Sequence, residues 1–257
     1  MSNRISQSLK NLAKVFTQKL KQARTRVATT MKSRTTNKEN KMNIKLIEFA
    51  PSHYMNEVTP KSQIYLHHTA GNDNAEAVYQ WWSLTNERVA TCVVIDSKGL
   101  IVQGFHSSKW AYHLGLEVKT FNNQGLKYQP LDRIAIGVEI CNWGYLTPVG
   151  KGKNLKYMNY AGIEVAKKDV VKLDKPFKGQ FYYHNYTDEQ IEAVKELLLL
   201  WNDKYKIPLT YNEDIWDICP RALMAQPGVY THNSVRKDKS DIYPHPKMIE
   251  MLKSISE

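Results

Sequence analysis

Cysteine is scarce in this chain and poorly placed for cross-linking. Of 257 residues only three are cysteines, Cys92, Cys141 and Cys219, and no two share a C-x-x-C spacing. That pattern argues against a disulfide framework and excludes a cysteine zinc knuckle; isolated thiols suit a reducing compartment. Long apolar runs are missing too. The longest aliphatic run is Leu197 to Leu200, far short of the ~20 apolar residues a bilayer-spanning helix needs. The start of the chain is positively charged but lacks the continuous apolar segment of a secretory signal, so no export signal is expected. Acid is nearly absent from residues 1–45, which carry twelve Lys and Arg against one acid, Glu39. The formal charge of +11 therefore belongs to an arm, since residues 46–257 hold 24 bases and 24 acids.

What is present first is an amphipathic pattern. Ile5, Leu9, Leu12, Phe16, Leu20, Ala23 and Val27 recur at steps of four and three, with lysines and arginines on the other faces, which predicts one helix over residues 5–31. Residues 32–42 are polar and without aromatics, as a linker is. The division is an arm and linker over 1–41 and a folded body over 42–257. A basic amphipathic helix can dock on a partner helix or lie on an anionic membrane or envelope surface. It can also hold nucleic acid non-specifically, but no aromatic or base-reading pattern accompanies it. Surface attachment is favoured over nucleic acid; oligomeric state is not encoded in these features.

The body alternates strand and helix signals. Residues 63–67 (QIYLH) form a short apolar run suited to a buried strand, and residues 74–84 a helix with Ala77, Val78, Trp81 and Trp82. ATCVVID (90–96) and LIVQGF (100–105) flank Ser97-Lys98-Gly99, a hairpin signal. IAIGVEI (134–140) fits a central strand, and residues 155–181 alternate as an inserted hairpin would. A long helix opens at Thr187, where Thr187 and Gln190 have capping-box spacing. Its inward stripe is Ile191, Val194, Leu198, Trp201 and Tyr205, with Pro208 as the stop. A last helix opens at Pro246 with Met248, Ile249 and Leu252. The expected fold is α/β: a mixed central sheet flanked by helices in three layers, preceded by the basic helix, without internal repeats.

Chemistry concentrates in three places. His67 and His68 end an apolar strand, and on alternation only one can face a given site; pattern alone leaves the choice open. Glu139 sits inside an apolar run, where a carboxylate is costly unless paired or used. His232, Lys239 and Asp241 lie in a charged segment, THNSVRKDKSD, which in isolation is a solvated loop. Two imidazoles and a carboxylate can hold one zinc with a position left for water, the arrangement of catalytic rather than structural sites.

The ordered motifs HHTAG, DSKGLIVQ, WAYHLG, IAIGVEICNWG, YTDEQIEAVKELL and THNSVRKDKSDIYPHP give the chain a resemblance over roughly residues 60–255. It resembles the zinc-dependent N-acetylmuramoyl-L-alanine amidases of the amidase-2 family, related to phage lysozyme-type amidases and peptidoglycan recognition proteins. The resemblance implies that family's mixed-sheet fold and a zinc ion held by His67, His232 and Asp241, the third ligand being cysteine in some members. It implies Glu139 as general base and Lys239 as stabiliser of the developing oxyanion. It implies a groove for peptidoglycan or muropeptide beside His113, Trp110 and Asn142, with Trp143 and Tyr145 as further sugar-stacking candidates. One departure is Cys92, where some relatives carry tyrosine or histidine; a thiol nucleophile there has no adjacent base. His245 is an alternative metal contact. The bond cut would join the muramoyl lactyl group to L-alanine. Rival readings are a peptidoglycan-binding module without catalysis, a virion-associated structural protein, and a recycling amidase acting on soluble muropeptides. Localisation follows as an expectation: a host cytoplasm with release to the wall, as for a phage enzyme, or a bacterial cytoplasm.

Overall fold

The computed structural model describes residues 42–256. The helix and linker expected over 1–41 lie outside the described residues. In chain order the body opens with strands β1 (Ile44–Leu46) and β2 (Gln63–His68), helix α1 (Ala75–Trp82), and strands β3 (Val93–Ile95) and β4 (Ile101–Gln103). Helix α2 (Val118–Asn122) and strand β5 (Ala135–Ile140) follow. An insertion carries β6 (Thr147–Val149), β7 (Lys156–Met158), β8 (Glu164–Val165), β9 (Val170–Phe177) and β10 (Gln180–His184). Helices α3 (Asp188–Tyr205) and α4 (Pro220–Leu223), strand β11 (Gly228–Thr231) and helix α5 (Pro246–Ser254) complete it.

The main sheet has the order β1-β4-β3-β5-β2-β11. Its centre is parallel, β3 with β5, β5 with β2, and β2 with β11; β3 and β4 form the antiparallel hairpin expected around Ser97-Lys98-Gly99. Gly99 takes a left-handed φ of 74° there, and the Asp96 carboxylate accepts from the N–H groups of Lys98 and Leu100 at 2.9 Å each, so the turn is held by its own side chain. β2 and β5 are covered on both faces. Such strands read as continuous apolar runs, and each fully buried aliphatic such as Leu66, Val138 or Ile140 contributes roughly 1.5–3 kcal/mol.

Local signals account for the helix ends. Asn74 caps α1, its side chain accepting from the Ala77 N–H at 2.9 Å. Thr187 and Gln190 form both halves of the capping box of α3, whose stripe Ile191, Val194, Leu198 and Trp201 is buried, with Tyr205 packed at its end. The helix stops before Pro208, because Lys206 turns left-handed at φ 57°. Helix α1 lies over the sheet face bearing Glu139, with which it lines one groove. Helices α3 and α5 pack on each other, on the side of His68, whose ring meets Tyr186 just before α3.

The insertion differs from the single hairpin expected over 155–181. β6, β7 and β8 form a small antiparallel meander, and the hairpin is β9–β10, displaced to 170–184. Lys178 and Gly179 set its position: both have positive φ, 49° and 80°, the two-residue turn that matches strand twist. β1 and β11, each too short to show alternation, were not anticipated. Among the described residues no helix is long and apolar enough to cross a membrane.

Candidate metal centre

Strand register assembles the site. In the parallel pair β2–β5, His67 stands opposite Glu139; in β11–β2, Thr231 stands opposite Leu66, which brings the following His232 beside His67. Side chains alternate along a strand, so Tyr65 and His67 share one face while His68 takes the other. His68 is buried there, its Nδ1 2.8 Å from the Tyr186 hydroxyl, which resolves the choice between the two histidines on backbone geometry.

Three donor atoms converge on one point. His67 Nδ1 is 3.1 Å from His232 Nδ1 and 3.1 Å from Asp241 Oδ2, and His232 Nδ1 is 2.9 Å from the same oxygen. The outer nitrogens have partners of their own. His232 Nε2 donates to the Leu114 carbonyl at 3.0 Å, and His67 Nε2 lies 3.0 Å from His113 Nδ1. With the His67 proton assigned to Nε2, both Nδ1 atoms present lone pairs to each other and to a carboxylate. Three lone-pair donors this close repel one another unless a cation sits between them. Zinc–ligand distances of ~2.0–2.1 Å put tetrahedral donors about 3.3 Å apart, close to the spacing found. Among the described residues this is the group of three that fits a metal ion, and the chemistry of the donors suits zinc. Burial, then the neighbouring His232, lowers the His67 pKa to about 4, which keeps the imidazole neutral and able to ligate. Burial opposes ionisation of Asp241, and positive charge at the His232 and His67 ring nitrogens would hold its carboxyl below the ordinary value; with both Nδ1 atoms as lone pairs, a bound cation is what would supply that charge.

The late loop reaches this point through contacts that the sequence did not advertise. Asn233, next to His232, donates from its amide to the carbonyls of Asp241 at 3.2 Å and Ile242 at 2.8 Å, tying the third donor's backbone to the second. Tyr243 is sandwiched between Tyr183 and Tyr186, with ring centroids 4.2 and 4.9 Å away. The β9–β10 insertion thereby braces the Asp241 segment. A polar residue after His232 and a tyrosine two after Asp241 were the available signals.

Glu139 sits on the same sheet face as His67 and opens into a groove of about 520 Å³. Burial, reinforced by the charge of Asp241, raises its carboxyl well above the ordinary range, and Lys239 pulls the other way. Lys239 also disfavours protonation of His67, so its ammonium acts on both groups. The groove is walled by Thr69 to Asn72, by Val78, Trp81 and Trp82 of α1, and by Trp143 and Tyr160. Trp81 and Tyr160 are 71% and 61% exposed, and the Trp143 and Tyr160 rings meet edge to face at 6.1 Å. A larger hollow of about 820 Å³, between α2 and residues 237–238, contains none of the three donors and not Glu139.

Several sequence expectations are relocated. His113 stands behind His67, with its ring against Tyr65 and His67, and bears on the ligand instead of lining the groove. Trp110 contacts Glu57 at 3.2 Å and lies under Arg133, away from the groove wall. Asn142 is 1% exposed; its amide donates to the carbonyls of His184 and Asn185, and its oxygen accepts from Gly144. With almost no exposed surface, it holds the exit of β5. Tyr145 pairs by a strand-like bridge with Tyr183. His245 lies outside the cluster, its Nε2 2.8 Å from Asn185 Oδ1. Cys92 is buried, and burial pushes its thiol up to about 12, so it is no nucleophile.

Residues 57–246 match the family model Amidase_2, described as N-acetylmuramoyl-L-alanine amidase. No curated protein matches the chain. Among solved structures, PlyL is 18% identical, with 84% of this chain and 98% of that one covered at a TM-score of 0.44. The N-acetylmuramoyl-L-alanine amidase LysC from Clostridium intestinale is 13% identical, covering 82% and 95% at a TM-score of 0.42. A selenomethionine derivative of AmpD is 13% identical, covering 84% and 95% at 0.45.

Proposed function

Because the chain belongs to the N-acetylmuramoyl-L-alanine amidase family, and is an enzyme that hydrolyses a peptidoglycan amide bond, we propose that it does so with zinc and acts on the polymeric wall. The observation that carries the metal reading is the convergence of His67 Nδ1, His232 Nδ1 and Asp241 Oδ2, with Glu139 in register beside them. Zinc bound there would lower the pKa of a water molecule and polarise the scissile carbonyl.

The chain's own groups supply the rest. Glu139, whose carboxyl burial raises above the ordinary range and so makes a stronger base, accepts a proton from the attacking water. It then delivers that proton to the departing amine nitrogen of L-alanine as the carbon–nitrogen bond breaks. Lys239 places positive charge where the carbonyl oxygen becomes negative. The products are a free lactyl carboxylate and a stem peptide with a free amino terminus. The exposed aromatic wall of Trp81, Trp143 and Tyr160 suits the apolar faces of sugar rings in an open polymer. We extend the proposal to residues 1–41: their excess of Lys and Arg favours attachment to an anionic membrane or envelope surface.

The test compares intact sacculi with soluble muramyl peptides as substrates, mass spectrometry identifying the new ends, alongside elemental analysis of the purified protein. Stoichiometric zinc, and its loss together with activity in Asp241→Ala, supports the metal reading; full activity after exhaustive chelation overturns it. Turnover of soluble fragments alone would reassign the enzyme to muropeptide recycling.

A further inference from the structure

Both histidine donors are oriented by one dipeptide. His113 faces the outer nitrogen of His67, and the next residue, Leu114, accepts from the outer nitrogen of His232 through its carbonyl. Gly115 continues the pattern, its carbonyl accepting from the Arg236 guanidinium, in the loop that carries Lys239 and Asp241. This segment belongs to no strand or helix among the described residues; the bridge of Tyr112 with Val89 anchors it on one side and Arg236 on Gly115 on the other. Between those anchors one side chain meets both backbone N–H groups. Asp132 Oδ1 accepts from the backbone N–H of His113 at 2.8 Å and from that of Leu114 at 3.0 Å. Asp132 is only 6% exposed, in the 3-10 turn Leu131–Arg133 that leads directly into β5.

A buried carboxylate is costly to keep, and the same two N–H groups could be met by water if the segment were at the surface. What the carboxylate adds is position. By holding the N–H groups of His113 and Leu114 on one oxygen it fixes the two peptide planes that flank the His113 Cα, and so the root of the His113 side chain. The Leu114 carbonyl lies one bond rotation further on, between the Leu114 N–H held by Asp132 and the Gly115 carbonyl held by Arg236. Outer partners of ligating imidazoles set the tautomer and the ring orientation. Here both outer partners belong to the two residues whose N–H groups Asp132 accepts, while Asp132 touches neither imidazole ligand.

We propose that Asp132 is a positioning residue for the metal centre, acting on both histidine donors at once through His113 and Leu114. The inference rests on the zinc reading above and is tested separately from it. In the full chain, zinc affinity is measured by competition with a chromophoric chelator for the wild type, Asp132→Ala, Asp132→Asn, His113→Ala and the Ala/Ala double variant. The urea midpoint of each zinc-free protein shows that it is folded under assay conditions. Loss of outer-shell partners typically costs ~10–100-fold in metal affinity, and that loss is expected for Asp132→Ala, with kcat falling and KM little changed. Asp132→Asn keeps an oxygen that can accept both N–H bonds and should restore most of the affinity. Because Asp132 acts partly through His113, the double variant should lose less than the product of the two single losses. If Asp132→Ala does not fold, Asp132→Ser is compared with Asp132→Asn in the same way. A folded Asp132→Ala that binds zinc as tightly as a zinc-binding wild type overturns this inference alone; so does independence of the two losses. A wild type without zinc affinity overturns the metal reading, and this inference with it.

Discussion

Replacing Glu139 by Gln keeps the shape of the side chain and removes its capacity to take a proton. The register of His67 with Glu139 sets the Glu139 backbone one interstrand spacing, about 4.8 Å, from that of the first donor, with both side chains on one face. The carboxyl is close enough for the charge of Asp241 to reinforce burial in raising its pKa. A general base in that position contributes ~10²–10⁴-fold, or about 3–5 kcal/mol of barrier at 1.36 kcal/mol per tenfold. The expected outcome for Glu139→Gln is a fall in kcat of that size, with KM and zinc content unchanged because Glu139 is not one of the three donors. Stability should move the other way. A carboxyl raised in the folded state contributes stability that is complete below its unfolded pKa and is lost as pH rises through the folded one. At neutral pH the wild type therefore bears a penalty that glutamine removes, and its urea midpoint should rise. The assays are release of stem peptide from purified sacculi, elemental analysis, and urea unfolding at neutral pH. Activity within tenfold of wild type, or a loss of zinc in the variant, would refute the assignment of Glu139 as base.

Lys239→Met should lower kcat by roughly 10²–10³-fold, the usual effect of losing one oxyanion-stabilising group. Because Lys239 draws the Glu139 carboxyl downward, the acid limb of the pH–rate profile should also move to higher pH; an unmoved limb would separate the two groups. Burial depresses His68 and His245 from 6.5 to about 4, so the folded state binds fewer protons than the unfolded one in that window. Their stability contribution is present above the unfolded value and is lost as pH falls toward the folded one, about 3 kcal/mol for each histidine at 1.36 kcal/mol per pH unit; urea unfolding across this range measures it, and a flat profile would contradict it. Gly137→Ala places a Cβ 2.6 Å from Thr91 Cγ2 and 3.2 Å from His113 Cγ. Overpacking of this kind costs about 1–3 kcal/mol, and with His113 displaced the variant should lose zinc affinity as well as thermal stability.

Much of the site was legible because its parts sit in strong local patterns. Glu139 stood out as an acid inside an apolar strand, and its cost in that setting is the same physical fact that raises its pKa in the fold. His67 or His68 was evident as the end of a buried run, but alternation cannot say which face of a strand meets which neighbour until the sheet is assembled. Gly137 gained its meaning only in the fold: a glycine within a strand marks close approach, and here it makes room for Thr91 and the His113 ring. The substrate contacts were the least legible. Trp110 and Asn142 adjoin the right motifs in sequence, yet one turns to Arg133 and the other spends its amide on backbone carbonyls. Tyr160 and Trp81, which do line the groove, lie in an insertion and on a helix face with no periodic cue to function.

The chain's local chemistry by itself determined where strands β2 to β5 and helices α1, α3 and α5 form, which acid was expensive, and which segments carried ligand-type side chains. Period-2 and period-3.6 patterning, caps and turn residues act over a few neighbours and are written directly in the residue order. Only the tertiary structure decided that His67 and not His68 meets His232, that Asp241 is drawn in by Asn233 and Tyr243, and that Asp132 meets the N–H groups of His113 and Leu114 behind the two imidazoles. Each of these contacts joins residues that the chain separates, so it exists only once the parallel register of β2, β5 and β11 has set which side chains stand level.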